Sequence, residues 1–410
     1  MHTFHINNKD FTEGLAWNYI SVFILGVSGL FYNVLIEICY NMEAVGMFNQ
    51  VYSYYIVVSQ LAAFGIHNSV LKYVSTAENN TIQLRILQCG ILAAIFTSVL
   101  TVTSASLLIK IFMNQFSIQK GLLEMCLALP FFSVNKVYLN YLNGCQKMKS
   151  YAVFQCLRSI FIAFSILIFY CIHMKAEDIS LCFLTGEMVL SAFLFFWCSK
   201  GCKWGLNDWD GIKLHILFGS KVFLANLVME LNTKVDILCL SWIVRDDALI
   251  GIYSFAVLFA EGFYQFFVVF RRSINPQIAK DKMIVYQINK KKFVCLSMLL
   301  AFAVIGVFYT VSIFVSKEYL LGMKPLAIIL FSIVCNGYYI ILGNYWSQRG
   351  MPLQETKTNV ITVLTNLCFN VVLIPILGIL GAAIATAASY FVYSFMIRRN
   401  MEKDLLTTEV

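Results

Sequence analysis

Residues 366–392 read NLCFNVVLIPILGILGAAIATAASYFV. Two apolar runs, 358–377 and 380–397, meet within this stretch, and little more than Pro375-Ile-Leu-Gly378 separates them. Each run approaches the roughly 20 apolar residues that a helix needs to cross the hydrocarbon core of a bilayer. Because Pro and Gly are typical of breaks between elements, the stretch predicts two membrane-spanning helices joined in a tight hairpin.

The same pattern runs through the whole chain. Of its 410 residues, 60% are hydrophobic and 13% are charged, whereas soluble domains contain about 25% charged residues. This composition excludes a soluble globular protein and a disordered one. The apolar runs cover residues 16–36, 45–67, 86–109, 122–142, 151–172, 179–199, 214–243, 249–270, 293–315, 325–346, 358–377 and 380–397. The predicted fold class is therefore an all-α polytopic membrane protein with about 12 transmembrane helices.

Lysine and arginine indicate the orientation of these spans. With the N-terminus placed in the cytoplasm, 21 of the 30 Lys and Arg residues fall in cytoplasmic segments and 6 in outer loops. This count takes Arg158 as a cytoplasmic residue. The bias alternates from loop to loop, as the positive-inside rule requires. We therefore expect both termini in the cytoplasm, and we attribute the net charge of +8 to these loops and not to nucleic-acid binding.

Two pairs of similar short segments, here called sequence echoes, suggest an internal duplication. Residues 43–48 (EAVGMF) precede the second span, residues 248–253 (ALIGIY) precede the eighth, and Gly46 and Gly251 are half a chain apart. The loops Gln146-Lys147-Met148 and Arg349-Gly350-Met351 repeat at a similar offset. These echoes predict two pseudo-symmetric six-helix lobes, 1–205 and 206–410. Because six spans return the chain to the same side, the repeats should be parallel, with a ligand path between them.

Seven ionisable residues fall well inside the predicted spans. They are Lys136, Glu187, Lys221, Glu230, Lys234, Asp236 and Glu261. At about 3 kcal/mol each, they would together cost on the order of 20 kcal/mol if they faced lipid, more than the net stability of a typical protein. We therefore expect them to pair with one another or to line a hydrated cavity.

The lysines Lys136 and Lys221 are candidates for substrate binding. Both lie in the cytoplasmic half of their span, so they either snorkel to the inner interface or face an anionic substrate. Lys221, Asn232 and Asp236 share one face of the seventh span at about 100° per residue. Polar amides in the spans complete the candidate cavity lining, although such residues often serve only to join helices. The remaining candidates are Asn33, Asn135 and Asn226.

The remaining charges are candidates for ion coupling or gating. Glu187 and Glu261 lie near the middle of their spans and are either protonated and hydrogen-bonded or exchange protons with an ion gradient. Glu230 and Lys234 are one turn apart, in the favourable order for a helical ion pair. They either neutralise each other as a structural pair or act as a gating pair.

Motifs of soluble enzymes are absent from the sequence. There is no Walker loop, no glycine-rich dinucleotide turn, no His-Glu-x-x-His and no G-x-S-x-G. We found no complete set of metal ligands. The sequence therefore predicts no enzyme activity, no cofactor and no metal site, and any transport should proceed without ATP hydrolysis by this chain.

Residues 26–75, 216–280 and 366–392 together resemble the polysaccharide-flippase family of the multidrug/oligosaccharidyl-lipid/polysaccharide exporter superfamily. The most specific part is the closing motif, in which Asn366 and Asn370 precede Leu373-Ile374-Pro375, and Gly378 precedes Gly381-Ala382-Ala383-Ile384-Ala385-Thr386. Asn232-Thr233-Lys234, Asp236 and Gly251-Ile252-Tyr253 match less uniquely.

The resemblance implies two six-helix lobes around a central cavity in the bacterial inner membrane. It also implies a substrate, a polyprenyl-pyrophosphate-linked oligosaccharide such as an O-antigen repeat unit. The flippase would move this substrate from the cytoplasmic to the periplasmic leaflet by alternating access, coupled to H+ or Na+. Other glycan assembly proteins are possible partners. Because the spans contain three lysines and four acids, we expect a weakly charged glycan.

Three other functions stay open at this point. A cation-coupled multidrug antiporter of the same superfamily would need only a compact apolar cavity. A membrane enzyme, such as a glycan polymerase or an acyltransferase, would belong to a different class. A polymerase, however, usually needs a long outer loop with catalytic Arg or His, and no outer loop here is long enough. The third is a structural partner in a glycan assembly complex.

Overall fold

The computed structural model describes residues 8–113, 115–200, 208–280, 290–348 and 351–406. Within these ranges the long elements are all helical. In chain order they are α1 (Asn8–Cys39), α2 (Met42–Ala63), α3 (Ile66–Ser75), α4 (Asn80–Phe112), α5 (Phe116–Gly144), α6 (Met148–Cys171), α7 (Leu181–Cys198), α8 (Trp209–Ile243), α9 (Asp247–Lys280), α10 (Lys290–Val315), α11 (Met323–Ile341), α12 (Tyr345–Gln348), α13 (Pro352–Leu377) and α14 (Ile379–Leu406). Arg349 and Gly350 of the second sequence echo lie outside the described residues.

Each predicted apolar run corresponds to one of these helices or to a pair of them. In the described part of the chain, ten helices are long and apolar enough to cross a membrane, and residues Ile24–Cys39 of α1 form a shorter apolar segment. Helix α2 is not among the ten, because residues such as Asn49, Gln50 and Gln60 lower its hydropathy. The predicted class, an all-helical multi-pass membrane protein, is confirmed.

Two predicted spans are interrupted. The run 45–67 is divided because Phe64 and Gly65 adopt positive φ angles of 44° and 69°, which end α2 and allow α3 to begin. A β-carbon on Gly65 would lie 2.8 Å from the carbonyl oxygen of Gly219, so the turn packs directly on the backbone of α8. The run 325–346 is also divided, by a turn between the end of α11 at Ile341 and the start of α12 at Tyr345.

The chain separates into two compact units. The first contains Met1–Tyr40 and Val51–Leu227, and the second contains Asn41–Gln50 and Val228–Val410. The division thus falls inside α2 and inside α8, and residues 206–227 group with the first unit. The sequence echoes placed them in the second half instead. The six-plus-six repeat itself stays a prediction.

In the first unit, α5 packs against α3, α4, α6 and α7. The start of α8 is fixed to this unit by Asp208, which caps the helix by accepting a hydrogen bond from the backbone N–H of Gly211 at 3.0 Å. Asp208 also accepts a hydrogen bond from Nε of Arg85 at 2.6 Å. The bond from Arg85 is the main reason that the pKa of Asp208 is lowered.

In the second unit, α11 packs against α9, α10 and α14, and α13 packs along α14. Helix α13 continues through Pro375, and the turn to α14 is the single residue Gly378, which has a φ of 56°. A β-carbon on Gly381 would overlap the backbone of Leu373, so glycine allows the two helices to approach closely. The predicted hairpin is therefore present and is even tighter than the sequence suggested.

Candidate functional site

Glu187 on α7 is the centre of a polar cluster in the first unit. Its side chain is fully buried. Oε1 accepts hydrogen bonds from Nε of Arg158 at 2.6 Å and from the hydroxyl of Tyr55 at 3.1 Å, and Oε2 accepts one from Nδ2 of Asn135 at 2.8 Å. The cation and the additional hydrogen-bond donors offset the free-energy cost of removing this carboxylate from water.

Two cations of this cluster share one aromatic ring. Nζ of Lys136 lies 5.0 Å from the ring centroid of Phe132, and the guanidinium carbon of Arg158 lies 5.1 Å from the same centroid. Nζ of Lys136 also donates a hydrogen bond to Oε1 of Gln60 at 3.2 Å. Both distances to the ring lie within the range of favourable cation–π interactions, so both cations pack against Phe132.

A cavity of about 90 Å³ opens beside these side chains. It is lined by Leu25, Phe132, Asn135, Lys136, Leu139, Gln155, Arg158 and Glu187. Two cations and one carboxylate face it, so the cavity has an excess of positive charge. A guanidinium and an ammonium that line the same cavity are a suitable combination for binding phosphate or carboxylate oxygens.

Arg158 corrects the sequence analysis. It was counted with the cytoplasmic residues, but it lies well inside α6 and bonds to the buried Glu187. A signal for this position was available, because Arg158 falls inside the predicted apolar run 151–172. Eight charged side chains, and not seven, therefore lie well inside the predicted spans, and four of the eight are basic.

A second polar cluster surrounds Asp236 on α8, in the second unit. The carboxylate is buried and accepts hydrogen bonds from the hydroxyl of Tyr253 at 3.0 Å, from Nδ2 of Asn370 at 2.8 Å and from the hydroxyl of Thr386. Nδ2 of Asn370 also donates to Oδ1 of Asn366 at 2.9 Å. All of these donors are neutral, so within the described residues Asp236 is a buried carboxylate without a salt bridge.

An ion pair joins α8 to α9 close to this cluster in sequence. Nζ of Lys234 lies 2.8 Å from Oε1 of Glu261, and the lysine side chain is nearly buried, while 37% of the glutamate side chain is exposed. The sequence suggested Glu230 as the partner of Lys234. Coupling between Glu230 and Lys234 stays a prediction, and the pair with Glu261 shows that Lys234 also links two helices.

The other predicted site residues lie apart from these contacts. Asn33 is buried in α1, where its Nδ2 donates to the carbonyl oxygen of Gly29 at 2.8 Å. Lys221 is exposed, and Asn226 and Asn232 are partly buried on α8. The structure therefore brings Asn135, Lys136 and Glu187 together in the first unit, and it places Asp236 in a separate cluster in the second.

Several members of the two clusters were not identified as site residues. In the first unit these are Tyr55, Gln60 and Arg158, and in the second they are Tyr253, Asn366, Asn370 and Thr386. The last three belong to the closing motif on which the family resemblance rests. Asn366 and Asn370 are one helical turn apart and so share a face of α13, but nothing in the sequence indicates that this face meets Asp236.

A comparison with known families adds evidence of a different kind. The family described as "Polysaccharide biosynthesis protein" matches residues 11–280, which is well over half of the chain. The chain belongs to this family. The match covers most of the first half of the expected duplication and the beginning of the second, from α1 to the end of α9, so the predicted family relationship is confirmed.

Several solved structures have the same fold as this chain. The inward closed conformation of the lipid II flippase MurJ superposes with a TM-score of 0.75 at 18% identity, covering 95% of this chain and 87% of that chain. An inward-facing multidrug resistance MATE transporter of the MOP superfamily gives 0.69 at 12% identity, covering 93% and 95%. No curated protein matches the chain. At these identities the matches show the fold, which this chain shares with membrane flippases and transporters.

Proposed function

We propose that this protein is a flippase for a polyprenyl-pyrophosphate-linked oligosaccharide, such as an O-antigen repeat unit. It moves the glycan from the cytoplasmic to the periplasmic leaflet of a bacterial inner membrane by alternating access, with both termini in the cytoplasm. The family and the fold support a flippase or transporter. The observation that carries the finer proposal is the cavity where Lys136 and Arg158 lie against one ring.

Physical chemistry explains why such a substrate needs a cationic site. A pyrophosphate and its glycan cannot cross hydrocarbon unaided, because burying unpaired charge is very costly. The polyprenyl tail has no such cost and stays in lipid. Lys136 and Arg158 compensate the anionic head group, whereas the amide of Gln155 provides hydrogen bonds to sugar hydroxyls. A drug antiporter with a compact apolar cavity has no need for this pair of cations.

The test of this site is Lys136→Gln. We expect surface glycan to fall at least about tenfold, as the loss of one charge-assisted hydrogen bond implies, while lipid-linked precursor accumulates on the cytoplasmic face at normal protein levels. Lys221→Gln is the matched comparison, because Lys221 is exposed and remains a candidate for the same role. Undiminished export by Lys136→Gln would reject this cavity as the head-group site and leave the family and fold unchanged.

The coupling ion in this proposal binds at Asp236. A single buried negative charge with neutral partners is compensated by one monovalent cation or by a proton, whereas a divalent ion would leave a positive charge buried. The surrounding amide and hydroxyl oxygens are hard ligands, and among the described residues Oδ1 of Asn370 is a buried acceptor without a hydrogen-bond donor. These groups favour Na+, so Asp236 takes the coupling role that the sequence analysis gave to Glu187 or Glu261.

The ion site is tested by heating the purified protein in Na+ and in choline at equal ionic strength. Because an ion that binds only the folded state stabilises it by about 2.7 kcal/mol at 100 times its Kd, we expect Na+ to raise the Tm of the wild type and not that of Asp236→Asn. Glu261→Gln is the control and should keep the Na+ effect. A pH-dependent transport rate without any Na+ effect would identify the proton as the coupling ion instead.

A further inference from the structure

The two glycines of the sequence echo, Gly46 on α2 and Gly251 on α9, contact each other. Both belong to the second unit. A β-carbon on Gly251 would lie 2.9 Å from the backbone nitrogen of Gly46 and 2.9 Å from the carbonyl oxygen of Met42. A β-carbon on Gly46 would overlap the carbonyl group of Asp247. The first turns of α2 and α9 therefore cross with their backbones in direct contact, a geometry that only glycine permits.

A side-chain bond secures the same crossing. Nε2 of Gln50 donates to Oδ1 of Asp247 at 2.5 Å, so the first turn of α9 is tied to the third turn of α2. Gln50 is fully buried. With the expected orientation, both helices begin on the outer side of the membrane, so this crossing lies at the outer end of the molecule.

Tyr253 lies two residues after Gly251 on the same turn of α9. It is fully buried, and its hydroxyl donates to Oδ2 of Asp236 at 3.0 Å. At about 100° per residue, two positions along a helix differ by about 200°. The first turns of α9 are therefore held from two sides, by α2 at Gly251 and by the carboxylate of Asp236 at Tyr253.

We infer that Tyr253 is a positioning residue that couples the occupancy of Asp236 to the crossing of α2 and α9. The inference rests on the proposed function, because it takes Asp236 as the cation site. A cation bound there competes with the Tyr253 hydroxyl for the carboxylate oxygens. Occupancy then weakens the restraint that the Tyr253 hydroxyl places on the first turns of α9, and the crossing loosens. The ion gradient would thus act on the outer end of the molecule through a single hydroxyl group.

Hydrogen–deuterium exchange of the full-length protein in lipid nanodiscs tests this link. The readout is exchange of backbone amides in peptides that cover 42–51 and 247–256, in Na+ and in choline at equal ionic strength. We expect exchange of these peptides to be about tenfold faster in Na+, since a local opening equilibrium changes by this order when one hydrogen bond to a charged group is lost. In Tyr253→Phe, exchange should be fast in both salts.

Tyr319→Phe is the matched control. Tyr319 is a second fully buried tyrosine of this unit, and the described donors to Asp236 are other residues, so the Tyr319 variant should keep the Na+ response. If Na+ raises the Tm through Asp236 but exchange at the crossing does not change, or if Tyr253→Phe responds like the wild type, the link is wrong and the ion site stands. If Na+ affects neither the Tm nor the exchange, the ion site and the link both fail.

Discussion

Replacing Gly46 by alanine is expected to destabilise the protein by at least about 2 kcal/mol, at the upper end of what overpacking usually costs. The reason is that the new methyl group would overlap the carbonyl group of Asp247. Backbone atoms cannot rotate away as a flexible side chain can, so α2 and α9 must separate. The measurement is the free energy of unfolding in mixed detergent micelles, with circular dichroism as the probe of unfolding.

Gly262→Ala is the matched control for this experiment. Gly262 lies on the same helix as Gly251, and among the described residues no atom outside its own stretch of helix lies within 4 Å of the position that its β-carbon would take. Alanine has a higher helix propensity than glycine, by about 1 kcal/mol, so this variant should be neutral or slightly more stable. Equal stability of Gly46→Ala and Gly262→Ala would contradict the close backbone contact between α2 and α9.

Removing one partner of the buried Arg158–Glu187 pair is expected to cost about 3–5 kcal/mol, because the remaining charge is left uncompensated in a low-dielectric environment. We expect Glu187→Leu to be the more damaging change, since Glu187 accepts bonds from three side chains. The double variant Arg158→Leu/Glu187→Leu should recover a large part of the loss. The measurement is a double-mutant cycle on the free energy of unfolding.

The exposed pair Arg398–Glu402 is the control for this cycle. Its side chains are 60% and 52% exposed and one turn apart on α14, and such pairs contribute about 0.5 kcal/mol or less. Glu402→Leu should therefore change stability little. If Glu187→Leu is equally mild, the carboxylate is not a buried anion, and the charge excess assigned to the Lys136 cavity would have to be revised.

The sequence by itself determined the fold class. Apolar runs of about 20 residues must become helices in a bilayer, because backbone polar groups have no water to bond to there. The run lengths and the breaks at Asn79, Lys147 and Gly378 are local properties of the chain. They gave the order of the helices, and the family resemblance pointed to the flippases. Sequence periodicity could not predict that the run 45–67 is divided into α2 and α3 at Gly65. There the backbone of α8 at Gly219 leaves no space for a side chain.

Only the tertiary structure decided which polar groups meet. A carboxyl group within an apolar run needs hydrogen-bond donors or a cation to offset the cost of its burial. The sequence of the run does not show which helix supplies these partners. Glu187 bonds to residues of three other helices, Tyr55 on α2, Asn135 on α5 and Arg158 on α6, far apart in the chain. Asp236 bonds to α9, α13 and α14. The local spacing of Glu230 and Lys234 suggested one ion pair, whereas the packing of α8 against α9 provides another, to Glu261. Partners of buried charges are set by helix packing, which depends on residues distant in sequence.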